Sequence, residues 1–416
     1  MAISNLYPAE APTLNLNFAN SRTLDRRITL TRTTTATYMD SNGLIRTAPA
    51  NTPRFHHQYI NGQVESLGLL IERDTTNFLP FTNYSASNGL VNVSLTQNAA
   101  TAPDGTNTAV NVTGNPDVTS LKYTNKVYGT STQSTYTFSI FAKYNTEQFI
   151  VIRMNDNGGV NDVQQRYDIL NGVKSGNLGQ GGTATGGVST ITPYPNGWYR
   201  LTVTCTFTSA LTQIQAAIWL FGYQNTSTTN GVYLWGPQLE QRSYATSYFP
   251  TTSAGGASRG ADRAFITGTN FSSWYNTSEG TLFASARSFA VSGTLTGVAA
   301  LNLPSDFGPN RVDLRFDQGG ASYVGFNSPP GLVLSRTSGY TLVNPKYAVG
   351  YKTNIQKFVA NGSLASATAS FTPSPTITHL QIGTFDNFSY HLDGCIAQLT
   401  YYPMLLSDAQ LQNITK

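Results

Sequence analysis

The run Tyr199-Arg200-Leu201-Thr202-Val203-Thr204-Cys205-Thr206-Phe207 alternates apolar and polar side chains without a break. Side chains alternate across a strand. The pattern therefore puts Leu201, Val203, Cys205 and Phe207 on one face and the threonines on the other, as in a sheet buried on one side. Tyr136-Thr137-Phe138-Ser139-Ile140-Phe141-Ala142 alternates in the same way, and Val232-Tyr233-Leu234-Trp235 is a further strand ended by Gly236-Pro237. Helical periodicity is nearly absent. Its one strong instance is C-terminal: Ser407-Asp408-Ala409-Gln410 has the capping-box form, and Leu411 and Ile414 follow at helical spacing. Many short strands with turn residues between them define an all-β chain of sandwiches or jelly rolls.

The chain has 416 residues, enough for two or three domains with their own cores. Charged residues make up only 11% and aromatics 12%, so the exposed faces are hydroxyl and amide rather than ionic, while burial is well supplied. The net charge of +4 is scattered, with Arg26-Arg27 the one adjacent basic pair, which leaves no electrostatic footprint for nucleic acid. No apolar stretch approaches the roughly 20 residues that span a bilayer, so membrane insertion is not expected. Cys205 and Cys395 each sit in an apolar strand-like run and read as buried free thiols. His56, His57, His379 and His391 show no ligand spacing, so no zinc site is expected.

Two composition changes divide the chain. Near residues 76–84 a Thr-rich extended segment gives way to regular strands, and residues 251–262, T-T-S-A-G-G-A-S-R-G-A-D, have linker composition. The expected layout is an extended N-terminal segment over 1–78, a β jelly roll over 79–250, a linker over 251–262, and a β-sandwich with a short C-terminal helix over 263–416. The Gly-rich run 175–189 lacks the Lys-Ser/Thr of a P-loop and reads as a flexible loop or hairpin edge. Asn42-Gly43, Asn361-Gly362 and Asp393-Gly394 read as turns.

Glycoside hydrolysis needs two carboxylates facing one another across a pocket. Glu72 and Asp74 flank Arg73 and read as a solvated strand end. Glu240 has no acidic partner nearby in sequence, and no H-E-x-x-H helix is present. The chain is therefore expected not to be an enzyme. Sugar binding instead uses aromatic faces, with amides and carboxylates on the hydroxyls. Trp274, Tyr275, Asp386, Asn387 and Tyr390 are the loop-placed candidates, against the competing reading that they pack hairpins and core. No cofactor is expected beyond a structural calcium ion that would order such a loop. Trp198 opens the alternating strand and is expected to plug the jelly-roll core.

Several runs resemble known modules. Arg32-Thr33-Thr34-Thr35-Ala36-Thr37-Tyr38, Asn42-Gly43-Leu44-Ile45, Pro53-Arg54-Phe55 and Gly68-Leu69-Leu70-Ile71-Glu72 with Thr76-Asn77 are similar to an N-terminal module of tailed-phage structural proteins. Ala102-Pro103-Asp104-Gly105-Thr106, Asn196-Gly197-Trp198-Tyr199-Arg200-Leu201, Gly236-Pro237-Gln238-Leu239-Glu240 and Ser247-Tyr248-Phe249-Pro250-Thr251 resemble the carbohydrate-binding-module-like jelly roll of phage tail or fibre proteins. Gly280-Thr281-Leu282-Phe283-Ala284, Lys357-Phe358-Val359-Ala360-Asn361-Gly362 and Leu392-Asp393-Gly394-Cys395-Ile396-Ala397 resemble the laminin-G/concanavalin-A-like sandwich.

The resemblance implies a virion structural protein, docked to other virion proteins through residues 1–78 and exposed on the particle surface. Adsorption to host surface polysaccharide, as a tail-fibre component, is the sharper reading. The other is a capsid or tail decoration protein that stabilises the particle without a receptor. A homo-oligomer is expected, with a trimer as the prior for a fibre. The N-terminus carries no secretory signal pattern, which fits synthesis in the host cytoplasm and release by lysis. The apolar run 67–71 has nothing of its own to cover it, so an assembly partner is expected there. On that reading, deleting residues 1–75 would abolish incorporation and leave both sandwiches folded.

Overall fold

The computed structural model describes residues 8, 11–82, 89–116, 123–129, 132–156, 158–220, 229–289, 296–302, 311–316, 321–327, 332–337, 345–367, 372–373, 376–385, 388 and 390–416. Strands take up 58% of the chain and helix 5%, the all-β class that the alternation predicts. The terminal helix Asp408–Ile414 starts on the Ser407–Gln410 capping box, with both reciprocal bonds formed.

Two sandwiches are present, and their strand pairing does not follow chain order. Strand Gly394–Tyr402, near the C-terminus, is flanked on one side by Glu279–Ser288 and on the other by two N-terminal strands. Leu14–Leu16 pairs with its far end, Leu14 opposite Tyr401, and Gln63–Ile71 pairs with its near end, Leu70 opposite Cys395. In the facing sheet, Thr29–Thr31 pairs with Arg263–Thr267. One core serves both pieces, with Leu14, Leu16, Phe18, Leu30, Leu69 and Ile71 packed among Leu282, Val298, Leu314, Val349, Leu380 and Tyr401. The cover expected from an assembly partner for 67–71 is thus this chain's own strand Gly394–Tyr402. The N-terminal segment does not stand apart from the C-terminal sandwich; it supplies strands to both of its sheets.

Gly68 fixes that seam. Its φ is +91°, and a Cβ there would lie 2.1 Å from the Ile396 carbonyl oxygen. Only glycine allows the two backbones to approach this closely at a positive φ. The strand is bulged opposite His56 and His57, which fits the local departure from regular pairing.

The other sandwich lies between these pieces. One six-stranded sheet runs Ala184–Tyr194, Trp198–Phe207, Ser134–Tyr144, Gly231–Glu240, Ala109–Gly114, Val93–Ala100. The second runs Val173–Gly181, Asp162–Asp168, Phe149–Asn155, Gln213–Leu220, Tyr123–Gly129, Gly89–Val91. Leu201, Val203, Cys205 and Phe207 enter the core between the two sheets, as the alternation requires. The Gly-rich run forms neighbouring edges of the two sheets and turns from one to the other at Gly182, whose φ is +62°.

The hydroxyl face of 198–207 departs from expectation. Thr202 and Thr204 are 9% and 5% exposed, not solvated. The reason is a second layer on that side, made by the N-terminal hairpins and the 243–248 segment. Trp198 is buried for the same reason, but not in the jelly-roll core. It lies on the outer face with Ile45, Ala102, Phe141 and Tyr248, and its Nε1 donates to the Thr101 carbonyl.

The chain leaves and returns through a neck of two antiparallel strands, Thr75–Asn77 and Ala257–Arg259, with Thr75 opposite Arg259. The expected linker is therefore ordered at its C-terminal end, where Arg259 and Asp262 are each 1% exposed; residues 252–255 are exposed. Asn77 stitches the neck to the middle sandwich. Its Oδ1 accepts from Leu239 N at 3.1 Å and its Nδ2 donates to the Phe249 carbonyl at 3.3 Å.

Removal of residues 1–75 is expected to unfold the C-terminal sandwich rather than spare it, because four of its strands and part of its core go with them. A fragment over 263–416 lacks the same strands and should give no cooperative thermal transition. Gly68→Ala in the full chain should cost about 3 kcal/mol or more, the range for forced backbone strain at a packed site. Urea unfolding followed by circular dichroism measures it, and a loss below about 1 kcal/mol, within the spread of ordinary substitutions, would contradict this seam.

Candidate functional site

A buried ionic network sits where the neck meets both sandwiches. Arg54 Nη1 donates to Glu72 Oε2 at 2.7 Å, and its Nη2 pairs with Asp262. Arg32 pairs with Asp262 Oδ1 at 2.8 Å, and Arg259 lies 3.5 Å from Glu72 Oε2. Ser247, from the end of the middle sandwich, donates its N–H to Glu72 Oε1 at 2.8 Å and its hydroxyl to Oε2 at 2.7 Å. All five ionic side chains are 0–1% exposed. Burial alone would raise the Glu72 carboxyl, but Arg259, Arg54 and the Ser247 donors outweigh it and hold the group well below the usual carboxylate range.

Glu72 is therefore not the solvated strand end expected from its sequence. Its neighbour Asp74 is exposed, as expected. Glu240 is also buried and satisfied, accepting from Thr75, Gln238 and Thr246 at 2.6–3.1 Å. Neither carboxylate is free for proton transfer.

Beside this network, the middle sandwich and the N-terminal hairpin enclose a cleft of about 280 Å³. One wall is the outer face of Ala184–Tyr194 and Trp198–Phe207, bearing Thr190, Thr192, Tyr194, Arg200, Thr202 and Thr204. The opposite wall carries Tyr38 and, from Phe55–Ile60, His56, His57, Gln58 and Tyr59; Arg287 and Phe289 close one end. Threonine hydroxyls on the first wall are paired across strands, Thr190 with Thr202 at 2.7 Å and Thr137 with Thr204 at 2.7 Å. This ladder keeps the hydroxyl face flat.

Two guanidinium groups line the cleft. Arg200 donates to the Thr246 carbonyl at 2.6 Å and to Ser139 Oγ at 3.0 Å, and it lies over the Phe141 ring. Arg287 donates to Gln58 Oε1 at 2.8 Å, and its guanidinium carbon is 5.7 Å from the Phe289 ring centre. His56 Nδ1 accepts from the Met39 N–H at 3.1 Å, which requires that nitrogen to be unprotonated. Desolvation pushes the His56 imidazole down to about 3; Glu72 opposes this, and Arg54 and His57 reinforce it.

The expected sugar contacts lie elsewhere. Trp274 is 4% exposed, packed 4.8 Å from Phe271 and 5.0 Å from Tyr401, with Nε1 bonded to the Asn270 carbonyl. Tyr275 packs on Phe271 at 4.7 Å. The short helix Thr269–Ser272 turns both rings inward, so Trp274 offers no face to a pyranose. Tyr390 is half-buried and stacks on Phe385 at 4.6 Å. Asp386 and Asn387 fall outside the described residues. The cleft residues Tyr38, His56, Gln58, Tyr194, Arg200 and Arg287 were missed by sequence reasoning. The available signal was the Phe55–Ile60 strand, whose aromatic, imidazole and amide groups have no apolar alternation.

No family model and no curated protein matches the chain. Among solved structures it is similar to the CBM40 module of the Ruminococcus gnavus IT-sialidase bound to α2,3-sialyllactose, at 16% identity and a TM-score of 0.31, over 35% of this chain and 88% of that one. It is similar to the NanB sialidase of Streptococcus pneumoniae at 15% identity and a TM-score of 0.31, over 36% of this chain and 26% of that one. It is also similar to domains LG4-5 of the mouse laminin α1 chain, at 8% identity and a TM-score of 0.25, over 67% of this chain and 85% of that one. Overlaps of this size assign no family, and function has to be read from the site itself.

Two outcomes test this geometry. Glu72→Gln leaves Arg54 and Arg259 under-compensated in a dry site and should cost about 3–5 kcal/mol in urea unfolding; a cost under about 1 kcal/mol, typical of a solvated pair, would contradict the network. The folded His56 is depressed to about 3 from an ordinary 6.5, so between those values the unfolded chain binds the extra proton. Stability should therefore fall as pH drops below 6.5 and continue to fall towards 3. His56→Gln keeps an acceptor for Met39 N and cannot ionise, so its urea midpoint should decline less steeply over that interval.

Proposed function

We propose that this chain is a non-enzymatic, glycan-binding component of a tailed-phage particle, and that it holds host surface polysaccharide in the cleft between its sandwiches. The observation that carries the reading is the composition of that cleft. Tyrosine faces, a flat ladder of threonine hydroxyls, an amide and two guanidinium groups face one another across a space of about 280 Å³. Aromatic faces suit the C–H surface of a sugar ring, and hydroxyl, amide and guanidinium groups suit its hydroxyls. Location at a domain junction is where such pockets are commonly built.

The same lining argues against hydrolysis. Glu72 is the one carboxylate on it among the described residues, and that group is locked by Arg54, Arg259 and Ser247. A glycosidase would need a second carboxylate across the scissile bond. The phage context rests on the N-terminal resemblance through Arg32–Tyr38, Pro53–Phe55 and Gly68–Glu72. Within this chain those residues hold the fold together, with Arg32, Arg54 and Glu72 in the buried network and Gly68 at the seam.

Glycan-array and host-cell binding by the full chain test the proposal, because the C-terminal fragment alone lacks its N-terminal strands. Binding to at least one host surface polysaccharide is expected. Gln58→Ala and Arg287→Ala should each weaken it about tenfold, the equivalent of one charge-assisted hydrogen bond, without lowering the melting temperature. No binding by the full chain, or binding unaffected by both substitutions, would defeat the cleft as a glycan site.

A further inference from the structure

The hairpin formed by Ala36–Met39 and Ile45–Ala48 has a second hollow on its other side, about 330 Å³ in volume. It shares Thr37, Ile45 and Tyr248 with the first cleft, so the hairpin is the wall between them. Its lining differs in chemistry. Phe81, Trp235 and Tyr248 supply aromatic surface, Thr47 and Thr108 supply hydroxyls, and Asp104 is the one carboxylate among its described residues.

Three features point to a ligand. Phe81 has a φ of +41°, a backbone region that a bulky side chain occupies only under strain. The residue is nevertheless 37% exposed, although its carbonyl is fixed by Lys126 Nζ and its N–H by the Ser253 carbonyl at 3.3 Å. The strain thus holds an aromatic ring at the mouth of a hollow instead of burying it. Trp235 is half-buried, tilted against Tyr248 at 4.5 Å, with its Nε1 tied to Thr108 Oγ1 at 3.1 Å, so its ring is set before any ligand arrives. Asp104 uses Oδ1 to accept from Thr106 N and Oγ1, at 2.9 and 2.7 Å, while no partner for Oδ2 occurs among the described residues.

We infer that this hollow is a second carbohydrate site, selective for a neutral pyranose. The sugar's C–H face lies on Phe81 and Trp235, and adjacent hydroxyls donate to Asp104 Oδ2. A carboxylate in the hollow repels uronic and other acidic sugars, in contrast to the arginine-lined cleft next to it. The volume is at the small end of ligand pockets, about 300–1,000 Å³, which suits one or two sugar rings. The site needs none of the residues Gln58, Arg287 or His56, so it stands whether or not the junction cleft binds a polysaccharide.

The test is isothermal titration of the full chain with cellotetraose, maltotetraose and chitotetraose as neutral probes, and tetragalacturonic acid as the acidic one. At least one neutral probe should bind, and the acidic one should not compete for that site. Phe81→Ala should weaken neutral binding about tenfold by removal of the stacking face. Asp104→Asn, which keeps an acceptor for Thr106, should weaken it several-fold with the melting temperature unchanged. Arg287→Ala, in the other cleft, should leave it as it was. No binding of any neutral probe, or binding that both Phe81→Ala and Asp104→Asn leave intact, overturns the inference. Should Phe81→Ala fail to fold, Asp104→Asn alone decides between these outcomes.

Discussion

The buried ion network of Arg32, Arg54, Glu72, Arg259 and Asp262 is the constraint on which the rest of this architecture depends. It joins chain segments that are 18 and 190 residues from Glu72, at a point where both sandwiches and the neck converge. Buried ion pairs are weak evidence for stability, because desolvation offsets most of their attraction. Their effect here is on arrangement. Each carboxylate accepts from more than one segment, so any other seating of the middle sandwich would strand a charge in a dry site. The network selects one relative position for the two sandwiches, and a cleft between them can then have fixed walls.

That fixed position explains why a polar sheet face is buried. Thr202 and Thr204 would be expected to face solvent, and in an isolated jelly roll they would. Here they look across a narrow space at the Phe55–Ile60 strand. Hydroxyls tolerate such partial burial because they pair with each other across strands, as Thr190 does with Thr202. A face of leucines would have closed the gap entirely and left no cleft. The threonine alternation therefore has two consequences: it makes the strand amphipathic for its own core, and it leaves a polar wall on the cleft side.

Local sequence pattern was enough to read the all-β class, the inward residues of 198–207, the terminal capping box and the turns at Asn42-Gly43 and Asn361-Gly362, whereas Gly394 already belongs to the last strand. Gly43 at φ +76°, and Asn361 and Gly362 at +47° and +77°, adopt the conformations their turn positions require. What periodicity does not carry is the identity of a strand's partner. The apolar run 67–71 advertised a need for cover, but nothing in its pattern distinguishes a neighbouring subunit from a strand more than 320 residues later. Glu72 was misread for a related reason. A carboxylate beside Arg73 looks like a surface pair, and only the fold brings Arg54 and Arg259 onto it. Trp274 was misread because Phe271-Ser272-Ser273-Trp274 looks like a polar loop until a single helical turn directs its aromatics inward.

The insertion of one sandwich between two pieces of the other also bears on how the chain can respond to force or to a ligand. The entry and exit strands, Thr75–Asn77 and Ala257–Arg259, are hydrogen-bonded to each other, so tension between the sandwiches loads a short antiparallel pair instead of a flexible linker. Ligands on either side of the Ala36–Met39/Ile45–Ala48 hairpin would both press on that hairpin, whose Thr37 hydroxyl is tied to the Tyr248 carbonyl. Occupancy of one hollow can alter the other only if the hairpin has two positions. The Tyr248 tie, the Ile45 N–H on the Pro103 carbonyl at 3.0 Å and the Trp198 packing all favour a single one. If both hollows take a ligand as proposed, these contacts make them independent surfaces on one wall, with avidity along a polymer, rather than allostery, as the source of any cooperation between them.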